Sequence, residues 1–136
     1  MVRVFIDGAS RGNPGFASIA VVIFKNGKEV KRLGHYIGKA TNNFAEYMAL
    51  IFGLIEVIKR GEKNVEVFSD SELIVNQIRG KYKIKNEILK GLNVLCKYLI
   101  ENFEQFSITF VSRRENRLAD KVANEVLNRS LKRRTV

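Results

Sequence analysis

The stretch VRVFIDGASRGNPGFASIAVVIF, residues 2–24, decides the fold, because it places a carboxylate between two apolar runs. In an extended chain, alternate side chains point to opposite faces, so residues 2–6 predict a strand with its even-numbered side chains on one face. Asp7 would then lie on the other face, at the carboxyl end of the strand. Asp-Gly is also a strong turn signal, so Asp7 taken alone is explained by an ordinary turn.

Composition limits the classes of protein to which the chain can belong. Its length predicts one domain, residues 1–136. The net charge of +10, from 24 Lys and Arg against 14 Asp and Glu, points to a polyanionic partner such as nucleic acid. A positive charge also serves solubility alone. No apolar run is long enough to span a membrane, and Met1 leads directly into a strand pattern. We therefore predict a soluble, cytoplasmic monomer with no membrane partner.

The single cysteine, Cys96, excludes an internal disulfide. No Cys or His stands near it in the sequence, so it forms no zinc site. It falls in an apolar helical stripe, which predicts a buried packing role.

The rest of the sequence alternates between strand and helix patterns. Strands are predicted at residues 2–6, 17–24, 30–37, 64–69 and 107–112, and helices at residues 44–59, 72–79, 84–103 and 118–131. Asn26-Gly27 predicts a tight hairpin turn between the second and third strands. In the third helix, the apolar stripe runs through Ile84, Ile88, Leu92, Leu95, Leu99 and Phe103. The order of elements predicts an α/β fold with a five-stranded mixed sheet flanked by helices. Its first three strands are antiparallel, and its first, fourth and fifth are parallel.

Asp70 follows the fourth strand as Asp7 follows the first. If the two strands are parallel neighbours, about 4.8 Å apart, their carboxyl ends meet at one crevice. Two carboxylates in one crevice repel each other unless a cation lies between them. The sequence therefore predicts a metal site at this edge of the sheet.

Two further acids have ordinary explanations when each is taken alone. Asn43-x-x-Glu46 matches a capping box, in which the glutamate bonds back to the start of its helix. However, the helix is apolar at nearly every position, and a buried charge needs a partner, which a metal would supply. Asp120 lies off the apolar stripe of the last helix, on a polar face shared with Asn116 and Asn124, and a solvated face is the usual explanation.

The segments around these four acids occur in a recognisable order. They read FIDGASRGNPG, TNNFAEYMALIFGL, FSDSELIVNQIRGKYKIKN and RRENRLADKVAN. Together they resemble, over nearly the whole chain, the segments that carry the four catalytic acids of type 1 ribonuclease H. The resemblance implies a ribonuclease H-like fold and a metal-dependent endonuclease. That enzyme would hydrolyse the RNA strand of RNA/DNA hybrids and leave 5′-phosphate and 3′-hydroxyl ends. The implied catalytic and metal-binding residues are Asp7, Glu46, Asp70 and Asp120.

The cofactors implied by the resemblance are two Mg²⁺ ions, with Mn²⁺ as a substitute. Asp7 would bridge the ions, Glu46 and Asp70 would hold the ion on the leaving-group side, and Asp120 would hold the ion that activates water. Two cations about 3.5–4 Å apart offset the charge on the attacking and leaving oxygens, and carboxylates suit Mg²⁺. A related exonuclease is the obvious rival, but its common form has a second acid where Ala9 stands here.

Substrate contacts implied by the resemblance surround the acids. Asn42 and Asn43 carry amides that can read a 2′-hydroxyl in the minor groove of the hybrid. The glycines of residues 12–15 allow backbone to approach the RNA strand, and Thr41 matches a position that contacts a DNA phosphate. The predicted substrate-binding residues are Gly12, Asn13, Thr41, Asn42, Asn43, Ser71, Lys81, Lys83, Lys85, Arg113, Arg114 and Asn116.

The chain departs from the family pattern in three places. It passes from Lys85 into the long helix without the basic, Trp-containing protrusion of many members, which makes it a short form. The loop before the last helix, SRREN, lacks the histidine that many members carry and has arginines instead. His35, the only histidine, falls on the third strand and is predicted to be structural. Glu72 stands where relatives often have glutamine.

Two alternative functions stay open at this point. The first is a noncatalytic nucleic-acid-binding module of the same fold, which predicts the loss of one or more acids, although all four are present. The second is a nuclease domain that also acts on RNA/RNA duplexes. Net charge does not separate them, because phosphate contacts attract any duplex.

Overall fold

A computed structural model describes residues 1–134 of the chain. The strands are β1 (Val2–Gly12), β2 (Gly15–Lys25), β3 (Lys28–Ala40), β4 (Asn64–Ser69) and β5 (Gln105–Phe110). The helices are α1 (Asn42–Lys59), α2 (Glu72–Ile78), α3 (Glu87–Ile100) and α4 (Arg117–Arg134). Every predicted element is present, although the first three strands are longer than predicted and β5 lies two residues earlier. No described helix is both long enough and apolar enough to span a membrane.

The five strands form one mixed sheet in the order β3-β2-β1-β4-β5. β2 is antiparallel to β1 and to β3, whereas β4 is parallel to β1 and to β5. Asn26 and Gly27 have φ angles of 54° and 76°, as a tight hairpin turn requires. These observations confirm the predicted sheet and the predicted hairpin.

β1 was predicted to end beside Asp7, but the strand continues beyond that residue. Its pairing with β4 stops at Ile6, opposite Ser69, but its pairing with β2 continues to Gly12, opposite Gly15. Residues 8–12 are small or polar, so an apolar pattern could not reveal a strand extension that rests on backbone pairing with β2. Asp7 therefore lies where β1 and β4 separate, and this separation opens the crevice.

Helices cover both faces of the sheet. The even-numbered side chains of β1 pack with α1 and α3 in the larger core, which also contains Cys96, buried as predicted. The odd-numbered side chains of β1 face α4, where Phe5 and Ala9 pack against a smaller cluster that includes Ala119 and Ala123. The two faces of β1 are therefore those that strand alternation predicts.

The buried face of α3 differs from the predicted stripe. α3 begins after Asn86, whose Oδ1 accepts the Leu89 N–H at 3.0 Å. Its buried side chains include Leu89 and Cys96, whereas Ile88 and Leu95 are 65% and 41% exposed. The predicted stripe was therefore wrong at these two positions, whereas its other four members, Ile84, Leu92, Leu99 and Phe103, do pack against the core.

Candidate active site

Three carboxylates converge where β1 and β4 separate. Asp7 comes from β1, Asp70 follows β4, and Glu46 comes from α1; each offers an oxygen that lies within 4.8 Å of the other two. Asp7 and Glu46 are each only 4% exposed. We call Asp7, Glu46 and Asp70 the inner acids. Their meeting point is the crevice that the parallel strands predict.

Glu46 is held by strand β1 and not by the start of its own helix. Its Oε1 accepts the Gly8 backbone N–H at 2.6 Å. The helix cap is Thr41, whose Oγ1 accepts the Phe44 N–H at 3.2 Å. The capping-box explanation is therefore wrong, because Asn43 already lies inside α1.

Gly8 allows α1 to approach β1 closely enough for this bond. A Cβ on residue 8 would lie 2.3 Å from the Ala45 carbonyl carbon and 2.4 Å from the Glu46 backbone nitrogen. Only glycine leaves that space empty. Sequence analysis missed this role because the Asp-Gly pair was interpreted as a turn signal.

Burial, with added repulsion from neighbouring carboxylates, raises the pKa values of all three inner acids. Burial, followed by repulsion from Glu46 and Asp70, raises the pKa of Asp7 to about 9. Burial raises the pKa of Glu46 to about 8, although the Gly8 N–H opposes this change. Burial also raises the pKa of Asp70. Buried oxygens that repel one another and converge on one point fit a hard divalent cation, which would relieve the repulsion.

Asp120 is the fourth acid and lies on the solvent side of the inner acids. It is exposed on α4 and lines the same groove as Asp7, and its negative charge adds to the rise in the pKa of Asp7. Asn124, one turn later, donates from Nδ2 to Asp120 Oδ1 at 3.3 Å. We call Asp120 the outer acid. The helix therefore brings it to the same site as the inner acids, as the resemblance implied.

Asn116 is buried and does not share a solvated face with Asp120, so that part of the prediction was wrong. It lies just before α4, and its Nδ2 donates to the Ile6 carbonyl at 2.8 Å and to Asp70 Oδ2 at 3.3 Å. Among the side chains that the structure describes, those of residues 1–132, its Oδ1 is the only buried nitrogen or oxygen without a hydrogen-bond partner. Asn116 therefore ties Asp70 to β1 from beneath the site.

The four acids line a groove, which we call the acidic groove. Its other lining residues are Gly8, Ala9, Ser10, Arg11, Asn42, Arg113 and Asn124. Of the predicted substrate-binding residues, Asn42 and Arg113 lie in this groove. Asn13, Thr41 and Asn43 line a neighbouring depression together with Lys39 and Asn86.

The remaining predicted substrate-binding residues lie outside the acidic groove. Ser71 caps α2 by accepting the Ile74 N–H at 3.3 Å. Lysines 81, 83 and 85 are exposed between α2 and α3, and Gly12 and Arg114 are exposed in or beside loops. His35 lies on β3 with its ring 5.1 Å from that of Phe52, away from the groove.

Comparison with known proteins identifies the family that the chain resembles. Residues 5–126 match the family described as reverse transcriptase-like. Ribonuclease HI of Halobacterium salinarum is 40% identical over 128 residues, which cover 93% of this chain and 64% of that protein. A bifunctional protein of Mycobacterium tuberculosis is 37% identical over 129 residues, which cover 93% of this chain and 35% of that protein. The chain thus spans less than two thirds of the length of these curated relatives.

Solved structures match the chain over most of its length. The crystal structure of RNase H1 from Halobacterium salinarum has a TM-score of 0.91 at 40% identity, covering 93% of this chain and 97% of that one. The RNase H1 called LC11, crystallised in complex with an RNA/DNA hybrid, has a TM-score of 0.91 at 37% identity, covering 96% and 99%. The chain belongs to the reverse transcriptase-like family and, within it, to the type 1 ribonucleases H.

Proposed function

We propose that this chain is a metal-dependent endoribonuclease that hydrolyses the RNA strand of RNA/DNA hybrids, leaving 5′-phosphate and 3′-hydroxyl ends. The observation that carries the proposal is the convergence of the inner acids, with the outer acid beside them. A similar RNase H1 was crystallised with an RNA/DNA hybrid, which supports the same substrate class. A noncatalytic module has no reason to retain four carboxylates that repel one another at one point.

The proposed cofactor is a pair of Mg²⁺ ions, for which Mn²⁺ would substitute. Asp7 would help to hold both ions, because it is close to the other two inner acids and lines the same groove as Asp120. Glu46 and Asp70 would hold one ion, and Asp120 the other. When bound, such ions neutralise charge on the attacking and leaving oxygens and make water a better nucleophile.

Other residues of the chain would orient these acids. The Gly8 N–H engages Glu46 Oε1, so Oε2 is the oxygen left for a ligand. Asn116 similarly engages Asp70 Oδ2 and leaves Oδ1. Arg113 lines the acidic groove and lowers the pKa values of Glu46 and Asp70 against the effect of burial, which favours their ionised forms.

Recognition of the two strands is proposed to use the residues around the start of α1. Asn13 Oδ1 accepts the Asn42 backbone N–H at 3.1 Å, so the loop between β1 and β2 is fixed beside the helix. Amides at 42 and 43 would read the 2′-hydroxyls of the RNA strand. Thr41 shares its depression with Lys39, which favours contact with a phosphate of the DNA strand.

The test is cleavage of end-labelled RNA/DNA, RNA/RNA and DNA/DNA duplexes by the purified protein with Mg²⁺ or Mn²⁺. We expect the hybrid to be cut and the DNA duplex to stay intact. Several consecutive deoxynucleotides in the RNA strand should stop cutting within that stretch, with little change in affinity, because phosphate attraction does not read sugars. Equal cutting of hybrid and DNA duplexes would contradict the proposal. Cleavage of the RNA/RNA duplex would support the alternative function, a nuclease that also acts on RNA/RNA duplexes.

The cellular setting remains a prediction from the sequence. We propose that the protein acts in the cytoplasm as a monomer. Light scattering at micromolar concentration tests the oligomeric state, and imaging of a tagged full-length chain tests the location.

A further inference from the structure

A polar clamp, formed by Arg11, Asn124 and Asn128, joins the exposed end of β1 to α4. Arg11 Nη2 donates to Asn128 Oδ1 at 2.7 Å and to Asn124 Oδ1 at 3.3 Å. Asn124 in turn donates from Nδ2 to Asp120 Oδ1. We propose that Arg11 is a positioning residue that sets the orientation of the Asp120 carboxylate through Asn124. The inference rests on the proposed function, in which Asp120 holds a metal ion.

Strand and helix geometry explain why these residues meet. Asp7 and Arg11 lie on the same face of β1, about 13 Å apart at a rise of about 3.3 Å per residue. Asp120 and Asn128 lie on one side of α4, about 12 Å apart at about 1.5 Å per residue. Because the two spans match, β1 and α4 meet at two levels. Asp7 and Asp120 line the acidic groove at one level, and Arg11 contacts the asparagines at the other.

The chemistry of the donors fixes the direction of the Asn124 amide. Arginine only donates hydrogen bonds, whereas an asparagine amide has one accepting and one donating end. Asn124 must therefore turn Oδ1 towards Arg11, which leaves Nδ2 to face Asp120. The reversed amide would place an oxygen against the Asp120 carboxylate and an NH₂ group against the guanidinium. The Asp120 backbone carbonyl, which accepts from the same Nδ2 at 3.0 Å, favours this orientation too, so Arg11 acts together with it to keep Nδ2 facing the Asp120 carboxylate.

Asp120 needs such support more than the inner acids do. It is exposed, and its near neighbour in the site is Asp7, a like charge. Glu46, by contrast, is buried and held by a backbone N–H. A partner that orients a metal-binding carboxylate typically changes metal affinity or activity by about 10–100-fold when it is removed.

The test replaces Arg11 with methionine, which keeps much of the aliphatic stem and removes every donor. We expect kcat on the hybrid to fall about tenfold with KM within about twofold, since positioning acts on the reacting state. Mn²⁺ binding to the free protein, measured by calorimetry, should weaken, and the Asn124 side-chain amide signal in ¹⁵N NMR should shift. R11K, which keeps a donor-only group, should recover part of kcat. R60M is the control, because it removes the same charge from an exposed side chain at the carboxyl end of α1, the end away from the acidic groove.

Four outcomes test the proposed positioning role of Arg11. Thermal melts confirm that each variant folds. A raised KM and a salt slope lower by about one, with kcat unchanged, would mean that Arg11 contacts a phosphate directly and would overturn the proposal. An unchanged Asn124 amide signal with unchanged Mn²⁺ binding would also overturn it. R11M/N124A should be no worse than N124A alone, and additive losses would count against a single chain of contacts. If the wild-type protein cut no hybrid, the proposed function would be wrong. NMR and Mn²⁺ binding would still test whether Arg11 orients Asn124 and Asp120.

Discussion

The inner acids and the outer acid are held at one site by different kinds of contact. Glu46 is buried and bonded to a backbone N–H, and Asp7 is buried within a strand that pairs with β2. Asp120 is exposed and oriented by an asparagine side chain, which is itself held by Arg11. The backbone therefore fixes Asp7 and Glu46 at an electrostatic cost, whereas the outer acid escapes burial but depends on side chains for its orientation.

The largest expected effect comes from Asp7→Asn, because Asp7 is the most strongly perturbed inner acid and its pKa is raised by burial and then by both the other inner acids and the outer one. Asparagine keeps the shape of the side chain but removes the charge that both proposed metal ions would share. We therefore expect cleavage to fall about a thousandfold or more while hybrid binding persists. Single-turnover cleavage and gel-shift binding measure the two effects. Glu87→Gln, an exposed acid on α3, is the control. Near-normal turnover of Asp7→Asn would refute the two-metal assignment.

Gly8→Ala tests whether the backbone sets the inner acids. The new methyl group would meet backbone atoms of Ala45 and Glu46, which cannot move aside as a flexible side chain can. We expect a loss of about 2 kcal/mol or more in the free energy of unfolding, together with weaker cleavage. Urea unfolding measures it. Gly91→Ala is the matched control, because an added Cβ there meets nothing within 4 Å, and helix propensity predicts a gain of up to about 1 kcal/mol. Equal stability of Gly8→Ala and the wild type would disprove the close approach.

A smaller effect is expected on the pH dependence of stability without metal. The pKa of Glu46 is raised from 4.5 to about 8 in the folded state, so the unfolded chain loses this proton first. Between these values the folded state binds more protons, and stability must fall as pH rises from about 5 to 8. Glu46→Gln should remove part of this fall and exceed the wild type in stability at pH 8 in EDTA. Urea titrations across that range test it, and a wild-type stability that rises with pH would contradict it.

The sheet and the inner acids could be predicted because each follows from local patterns. Strand alternation gave the two faces of β1, and the order of strands and helices gave the crevice in which Asp7 and Asp70 meet. Glu46 was expected from an acid in an otherwise apolar helix. These inferences require no knowledge of contacts between distant side chains.

The clamp and the role of Asn116 could not be predicted, because both depend on contacts between residues more than 100 positions apart. Asn116 matched a helical face only if α4 began earlier than it does. Arg11 falls between the first two predicted strands, because residues 8–12 carry no apolar pattern. The extension of β1 along β2 places Arg11 beside α4, and only the structure supplies that pairing.

The smallest effect is expected at Lys83, which is exposed and lies outside the acidic groove. A lysine that contacts only a phosphate adds affinity without aligning the reacting atoms, so Lys83→Ala should weaken hybrid binding a few-fold and lower the salt slope by about one. Its kcat should match the wild type, in contrast with Arg11→Met. Lys28→Ala, at the hairpin on the opposite edge of the sheet, should change neither affinity nor slope. Binding measured at several salt concentrations separates the two lysines. If Lys83→Ala lowered kcat at saturating hybrid, the segment between α2 and α3 would reach the reacting strand. Lys83 would then help to align the reacting atoms and would not act through phosphate attraction alone.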